Sequence, residues 1–362
     1  MKRREFLSTP ALAALAEAVP APAQSGGRKR ALMKLGCQSG PTDAKRLQFF
    51  KRHSVTAICG YPVGEKGRVY YTVEELSRCK DLCEKHGVSL DCIAPPFLAS
   101  SHVDRTEYPA IMLAQSPQRD RDLEQLQMLI RNCAKVGIPA IKYNMSLLGV
   151  LRIQGSPGRG GTTYSTWRLR DAKPSMPLTR AGKVNAYQFW ERITYFLDKV
   201  IPVANESKVR MACHPHDPGV PPEGYQGVDR VLGTPDGLKK FISIRESPYH
   251  GLNFCQGTVS EMLQDPGKEI FDVIRYFGSR KKIFNVHLRN IRGKRDDFVE
   301  VFPDEGDINF FRAMMLYKEL EYPYMMMPDH VPHHPDDPRG DQAFAFCYGY
   351  IRALIQAVDE LG

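Results

Sequence analysis

The sequence contains no run of 18 apolar residues and no pair of cysteines in the CxxC spacing. The first absence excludes a membrane-spanning helix. The second, together with an odd total of nine cysteines, argues against a zinc ribbon or a disulfide framework. A nucleic-acid-binding motif is also lacking, so the net charge of +9 indicates solubility and attraction for anionic ligands. We therefore expect neither nucleic acid nor a membrane as a partner.

The N-terminus has the pattern of an export leader. It reads MKRREFLSTPALAALAEAVPAPAQ, in which Arg3–Arg4 precedes Phe6–Leu7, as in twin-arginine signals. A short Ala/Leu segment follows, and Ala21–Ala23 supplies the small residues of a cleavage site. Residues 1–23 are thus predicted to be a twin-arginine-type signal peptide. The mature protein is expected in the periplasm or outside the cell, or in the cytoplasm if the leader does not function.

From residue 31 onward, short apolar runs alternate with amphipathic segments of helical spacing. Strand followed by helix, eight times over, predicts an α/β fold, a (β/α)8 TIM barrel that forms a single domain over residues 31–362. The predicted strands cover 31–38, 55–61, 89–96, 140–145, 209–215, 250–257, 283–290 and 324–330. The predicted helices cover about 72–86, 117–136, 185–205, 235–246, 266–278, 307–321 and 341–361.

One long segment, at about 146–184, shows neither period and is rich in Gly, Ser, Thr, Pro and Arg. It follows the fourth predicted strand. Irregular loops of this length in a compact domain are usually functional or disordered. We expect this one to be a lid or a substrate loop.

Polar residues that close the last four predicted strands form a potential metal-binding set. Active sites of (β/α)8 barrels lie at the carboxyl ends of the strands, so only strand-closing residues were considered. Two imidazoles, one thiol and one carboxylate suit a divalent transition metal with open positions for substrate oxygens. These residues are His214, Cys255, His287 and Asp329. Cys213 precedes His214 on the same strand and should point the other way.

The segments around these residues resemble the mannonate dehydratase family. In order along the chain they read IKYN, HPHDPG, GLNFCQGT, NVHLRN, VFPDEGDIN and PDH. The resemblance covers about residues 31–330 and implies a metal-dependent barrel of the xylose-isomerase-like superfamily, here a divergent, exported member. It implies manganese, or another divalent ion such as Fe²⁺, Co²⁺ or Mg²⁺. The implied ligands are again His214, Cys255, His287 and Asp329, and the implied acid/base group is His330.

The sequence departs from the family pattern at three places, one of which is the stretch SLLGVLRIQGSPGRGG after the fourth predicted strand. His216 stands where the family has a carboxylate, and the segment from Val331 to the last helix lacks the tyrosine that the family uses in catalysis. His216 or Asp217 is therefore predicted to share the acid/base work with His330. Side chains near the strand ends and in the long loop are predicted to bind substrate carboxylate or hydroxyl groups: Tyr143, Asn144, Arg152, Arg159, Arg289 and Asn290.

Three functions remain open on the sequence. The first is a metal-dependent lyase that removes water from a sugar acid, as the resemblance to D-mannonate dehydratase implies, with D-mannonate giving 2-keto-3-deoxy-D-gluconate. The second is a sugar isomerase, an epimerase or a keto-sugar lyase that uses the same enediolate chemistry. The third is a non-catalytic sugar-binding barrel. In each case the partner is a small sugar acid or keto-sugar, and a homo-oligomer is compatible with the sequence.

Overall fold

Eight short buried runs form parallel strands that close into a barrel. The structure is a computed structural model that describes residues 29–96, 101–173 and 176–361. The predicted leader at 1–23 lies outside these residues. In chain order the strands are β1 Lys34–Cys37, β2 Ala57–Gly60, β3 Ser89–Ile93, β4 Ala140–Asn144, β5 Ile153–Pro157, β6 Thr163–Arg168, β7 Arg210–His214, β8 His250–Cys255, β9 Ile283–His287, β10 Asn290–Lys294, β11 Asp297–Val301 and β12 Met325–Met327.

The barrel confirms the predicted fold class. Its strand order is β1-β2-β3-β4-β7-β8-β9-β12, and β12 pairs with β1 to close it. Each predicted strand range contains one barrel strand. Every residue of β2, β4, β8, β9 and β12 is buried, as expected for parallel strands covered on both faces.

The helices surround this barrel. They are α1 Ala44–Arg52, α2 Val73–Lys85, α3 Ala110–Leu113, α4 Gln118–Val136, α5 Ala186–Ser207, α6 Pro235–Ser243, α7 Gln256–Ser260, α8 Pro266–Ser279, α9 Phe310–Glu319 and α10 Asp341–Glu360. Each of the seven predicted helices is present. Local caps fix some of the boundaries: Thr72 and Asn185 each form a capping box with the residue three positions later. The prediction missed α1, α3 and α7, which have nine, four and five residues.

The long segment at 146–184 is not the irregular loop that was predicted. It carries β5 and β6, which join β10 and β11 in an antiparallel sheet of order β5-β6-β11-β10. β5 reads IQGSP, with no apolar alternation, and its sheet is completed by residues more than 120 positions later. Sequence periodicity could not reveal it because the pairing is tertiary. β5 and β6 follow barrel strand β4, whereas β10 and β11 follow β9, so both hairpins start at the carboxyl end of a barrel strand.

None of the helices within the described residues has the length and apolar character needed to cross a membrane.

We expect Trp167→Ala to lower the free energy of unfolding by about 3–5 kcal/mol, the usual cost of truncating a buried tryptophan. Trp167 lies on β6, is buried in the main core and packs edge-on against Tyr225, with 5.5 Å between ring centroids. Urea unfolding would measure the loss. Arg170→Ala, at an exposed position just after β6, is the control and should change stability by less than about 0.5 kcal/mol. Equal effects of both substitutions would show that the sheet is not anchored through Trp167.

Candidate metal centre and active site

The carboxyl ends of the barrel strands surround a cavity of about 270 Å³. Pockets for drug-sized ligands are roughly 300–1,000 Å³, so this cavity suits a smaller molecule. Its lining is mostly polar and comprises Gln38, Ser101, Lys142, Asn144, Ser146, Gly149, Val150, His214, Pro215, Asp217, Arg230, His287, Asp329 and His330.

The four residues predicted as metal ligands meet beside this cavity. One ligand atom from each of His214, Cys255 and His287 lies within 4.8 Å of the others. Asp329 completes the set, because its Oδ2 lies 3.3 Å from Cys255 Sγ and its Oδ1 lies 3.2 Å from His287 Nδ1. The barrel produces this convergence: β7, β8, β9 and β12 are neighbours, so their ends lie side by side.

The two imidazoles are neutral and keep nitrogen atoms available. His214 Nδ1 lies 2.7 Å from the carbonyl oxygen of Pro215. When Nδ1 carries the proton and donates it to this oxygen, Nε2 is unprotonated and its lone pair is available. His287 Nδ1 is buried and faces Asp329 Oδ1 at 3.2 Å, outside hydrogen-bonding geometry. Burial lowers the pKa of His214 to about 3 and also lowers the pKa of His287. Neutral imidazole with an unused ring nitrogen is the form that binds metal.

Cys255 is a protonated thiol when no cation is present. Burial, followed by the charge of Asp329, raises its pKa well above the usual range. In that state the Cys255 thiol donates to Asp329 Oδ2, while its sulfur accepts the backbone N–H of Thr258 at 3.4 Å. A divalent cation would favour the thiolate by its charge. Two neutral imidazoles, an ionisable thiol and a carboxylate therefore fit a divalent metal.

Arg289 lies at the centre of a buried ion network next to these ligands. Its Nη2 lies 2.9 Å from Asp217 Oδ2 and 2.6 Å from Glu261 Oε1. Its Nη1 lies 3.1 Å from Glu300 Oε1 and 2.9 Å from Asp329 Oδ2. Gly257 allows this position, because a side chain there would overlap the Arg289 side chain. Arg289, predicted to bind substrate, is thus occupied by protein carboxylates.

Arg152 is engaged in the same network from the other side. Its Nη1 lies 2.7 Å from Asp217 Oδ1, its Nη2 lies 3.3 Å from Glu261 Oε1, and it forms an ion pair with Glu300. Burial opposes ionisation of Asp217, but the two guanidinium groups hold its pKa well below the usual range. Asp217 lines the cavity and is fixed as a charged carboxylate, which makes it a weak base.

Glu261 and Glu300 have opposite ionisation states. Burial raises the pKa of Glu261 well above its usual range despite the guanidinium of Arg289. Burial also disfavours the charge on Glu300, but Arg289 and His330 outweigh it and lower the pKa of Glu300 to about 2. In this arrangement, Asp217 and Glu300 balance the charges of Arg152 and Arg289.

His330 is the proton-carrying group at the edge of the cavity. Its side chain is 39% exposed, and its Nδ1 lies 3.0 Å from both carboxylate oxygens of Glu300. Two factors oppose protonation of the His330 ring: its burial, and the positive charge of Arg289, whose Nη1 lies 2.8 Å from His330 Nδ1. The charges of Asp329 and Glu300 outweigh them and raise the pKa of His330 to about 9. The ring therefore carries a proton at neutral pH.

The strand that carries Tyr143 and Asn144 presents only one of them to the cavity. Side chains alternate along a strand, so Lys142 and Asn144 point inward and both line the cavity. Tyr143 points outward, is fully buried and packs on Phe196 with 5.2 Å between ring centroids. The structure therefore places Tyr143 in the packing around the barrel. Lys142, which the sequence analysis overlooked, takes the inward position that alternation would have indicated.

Two other predicted substrate-binding residues also lie away from the cavity lining. Arg159 is on the surface, where its Nη1 lies 2.6 Å from Asp304 Oδ2. Asn290 is buried, and its side-chain amide donates to the carbonyl oxygens of Pro303 and Ile308, both at 3.0 Å. Asn290 thereby fastens the chain that returns from β11.

His216 serves as a link between two loops. Its Nε2 lies 2.9 Å from the carbonyl oxygen of Met145, and its Nδ1 accepts the backbone N–H of Leu232 at 3.3 Å. Burial, followed by the charge of Arg230, lowers its pKa to about 3. Both nitrogens are occupied and the ring is outside the cavity lining, so the structure does not bring His216 to the reacting centre.

Three further residues at the site were not predicted from the sequence: Glu261, Glu300 and Arg230. Glu261 follows Cys255 by six residues, just after α7, whereas Glu300 lies on β11 between two valines. Each reads locally as an ordinary surface residue, and only the folded chain brings it to the site. Arg230 follows Asp229 in an irregular segment and carried no local signal.

We expect Cys255→Ser to lower the stoichiometry of bound divalent metal well below one ion per chain, because it removes the only thiol among the four converging side chains of the described residues. Cys213→Ser is the matched control: this cysteine is also fully buried but lies on the other face of its strand. Elemental analysis of both variants, with circular dichroism to confirm folding, provides the measurement. Equal metal content in the two folded variants would contradict the ligand set.

Comparisons with known proteins agree with this site. The profile of the D-mannonate dehydratase (UxuA) family matches residues 165–361, which is more than half of the 362-residue chain. Over 313 residues the chain is 28% identical to the mannonate dehydratase of Thermotoga petrophila, with 76% of this chain and 81% of the relative aligned.

Solved structures show the same fold. The mannonate dehydratase of Streptococcus suis serotype 2 superimposes with a TM-score of 0.78 at 22% identity, covering 91% of this chain and 95% of the other. A xylose isomerase domain protein from Planctomyces limnophilus superimposes with a TM-score of 0.58 at 13% identity, covering 91% and 99%. The profile match spans the last four barrel strands and all four converging side chains, but none of the first four barrel strands. This match decides the assignment. The chain belongs to the mannonate dehydratase family.

Proposed function

We propose that this protein is a metal-dependent dehydratase that converts D-mannonate to 2-keto-3-deoxy-D-gluconate and water. In this reaction a base takes the proton from C2, next to the carboxylate, and the hydroxyl group at C3 accepts a proton and leaves as water. The resulting enol becomes the 2-keto acid. The observation that carries the proposal is the position of His330, a protonated imidazole beside four convergent metal-ligand side chains in a small polar cavity.

The ion is proposed to be manganese, or another divalent ion such as Fe²⁺, Co²⁺ or Mg²⁺. His214, Cys255, His287 and Asp329 would hold it. When bound, it supplies a Lewis acid that stabilises negative charge on oxygen as the C2 proton leaves. The donor set of two nitrogens, one sulfur and one oxygen is compatible with several first-row divalent metals.

His330 is proposed to give its proton to the departing hydroxyl group. Hydroxide is a poor leaving group, so a positioned acid accelerates its loss. Glu300 holds His330 through Nδ1, which leaves Nε2 as the atom that can reach a ligand in the cavity. Glu300 in turn is fixed by Arg152 and Arg289. The buried network thus orients the acid and keeps its proton in place.

The reaction is tested by incubating the Mn²⁺-loaded protein with D-mannonate. We expect a keto-deoxy acid that reacts with thiobarbituric acid and a product mass lower than the substrate by one water. A panel of other aldonates, uronates and keto-sugars sets the substrate range.

Other outcomes on this panel would identify other functions. A product of unchanged mass would indicate an isomerase or epimerase, and binding without any product would indicate a sugar-binding barrel. Turnover of another aldonate but not of D-mannonate would support the dehydration reaction and would identify a different substrate.

We expect His330→Asn to bind metal normally and to reduce kcat by about 10²- to 10⁴-fold, the usual effect of losing a general acid. Because the protonated ring is the active form, wild-type activity should fall as the pH rises through the pKa of His330. This alkaline decrease should be absent from the residual activity of the variant. Steady-state kinetics between pH 6 and pH 10 would measure both effects.

His333→Asn is the matched control, since it replaces an exposed histidine three residues further along the same loop. It should leave kcat and the pH profile unchanged. Nearly full activity of His330→Asn on the true substrate would assign His330 a structural role.

A further inference from the structure

The substrate proposed above carries a carboxylate, but the two most prominent arginines at the site cannot bind it. Arg289 and Arg152 already contact Asp217, Glu261 and Glu300, and the charges within this network are balanced. A sugar-acid carboxylate placed against them would compete with buried protein carboxylates at short range. The positive charge for the substrate must therefore come from other residues of the cavity.

Arg230 is a buried arginine with N–H groups to spare. It lines the cavity and is only 7% exposed. Its Nη2 donates to the carbonyl oxygen of Gly149 at 2.9 Å and lies 3.4 Å from Ser146 Oγ. Its Nε and Nη1 are buried and have no hydrogen-bond partner. Buried polar groups without partners are costly, and Nη1 of Arg230 is the only terminal guanidinium nitrogen of the described residues in this state. A ligand in the adjacent cavity would complete its hydrogen bonds.

Lys142 supplies a second cation on the same cavity. It is 8% exposed and lies on β4, one inward position before Asn144. No carboxylate of the described residues forms an ion pair with it. Its charge acts on His214 and His287 and helps to keep both imidazoles neutral. Lys142 therefore lies close to His214 and His287 and lines the same cavity as Arg230.

We propose that Arg230 and Lys142 form the subsite that binds the carboxylate of the sugar acid. A carboxylate there would accept the unused N–H groups of Arg230 and would neutralise a pair of like charges within one cavity of about 270 Å³. It would lie next to the metal-ligand cluster, where the adjacent C2 carbon must react. This inference rests on the proposed function for the class of substrate, but it concerns binding and is tested without turnover.

The test compares a charged ligand with its uncharged analogue. Calorimetry on the Mn²⁺-loaded His330→Asn protein, in which turnover is slow, gives the affinities for D-mannonate and for D-mannitol. Adding Arg230→Met should weaken D-mannonate binding by about 10- to 100-fold, the range for hydrogen bonds to a charged group. D-Mannitol has no carboxylate, so its affinity should stay within about twofold. Lys142→Met should act in the same direction.

Arg192→Met is the matched control. Arg192 is also partly buried and donates to a backbone carbonyl, that of Met112 at 2.9 Å, but it does not line the cavity. It should leave both affinities unchanged. Added guanidinium ions should partly restore D-mannonate binding to an Arg230→Ala variant and should have no effect on the Arg192→Met variant.

Three results would overturn the subsite. They are equal losses for D-mannonate and D-mannitol in Arg230→Met, unchanged D-mannonate affinity in a folded Arg230→Met variant, and preferred binding of D-mannitol by the parent protein. If Arg230→Met does not fold, Arg230→Lys keeps the charge and serves in its place, with a smaller loss expected. Failure of the proposed function is a separate result, because the wild-type protein would then bind an aldonate through Arg230 without dehydrating it.

Discussion

The ion network around Arg289 is the constraint on which the site depends. Its guanidinium contacts carboxylates from four separate segments: Asp217 after β7, Glu261 after α7, Glu300 on β11 and Asp329 after β12. Removing one partner of a buried ion pair typically costs about 3–5 kcal/mol, since the remaining charge is left uncompensated. The network therefore fixes the positions of Asp329 and His330 relative to each other, because both contact Arg289.

The antiparallel sheet connects this network to the rest of the fold. Glu300 is a residue of β11, and Arg152 immediately precedes β5, so both hairpins of the sheet send one charged side chain into the site. Phe298 on β11 is buried, and the guanidinium carbon of Arg152 lies 5.1 Å from the centre of its ring. Since each hairpin starts from a different barrel strand, their pairing ties the two halves of the catalytic end together. The long segment after β4 thus has a structural role beyond the lid that its composition predicted.

The different roles of Arg152, Arg289 and Arg230 follow from the same geometry. Arg152 and Arg289 neutralise protein carboxylates, whereas Arg230 keeps unused N–H groups beside the cavity. All three are long cationic side chains, and the sequence pattern singled out Arg152 and Arg289 for substrate binding but not Arg230. Their roles differ because the fold places Glu261 and Glu300 next to two of them and not next to the third.

The sequence by itself determined the barrel, the position of its strands and the four residues that converge as potential ligands. These features are local: each strand is a short apolar run, and each ligand closes a strand at the end where barrel loops gather. Tertiary structure alone decided the antiparallel sheet, the inward position of Lys142 relative to Tyr143, and the partners of each arginine. Those features depend on contacts between segments as much as 148 residues apart, as for Arg152 and Glu300. Ion pairing in a buried site is set by distances in space, and no local pattern in the chain encodes them.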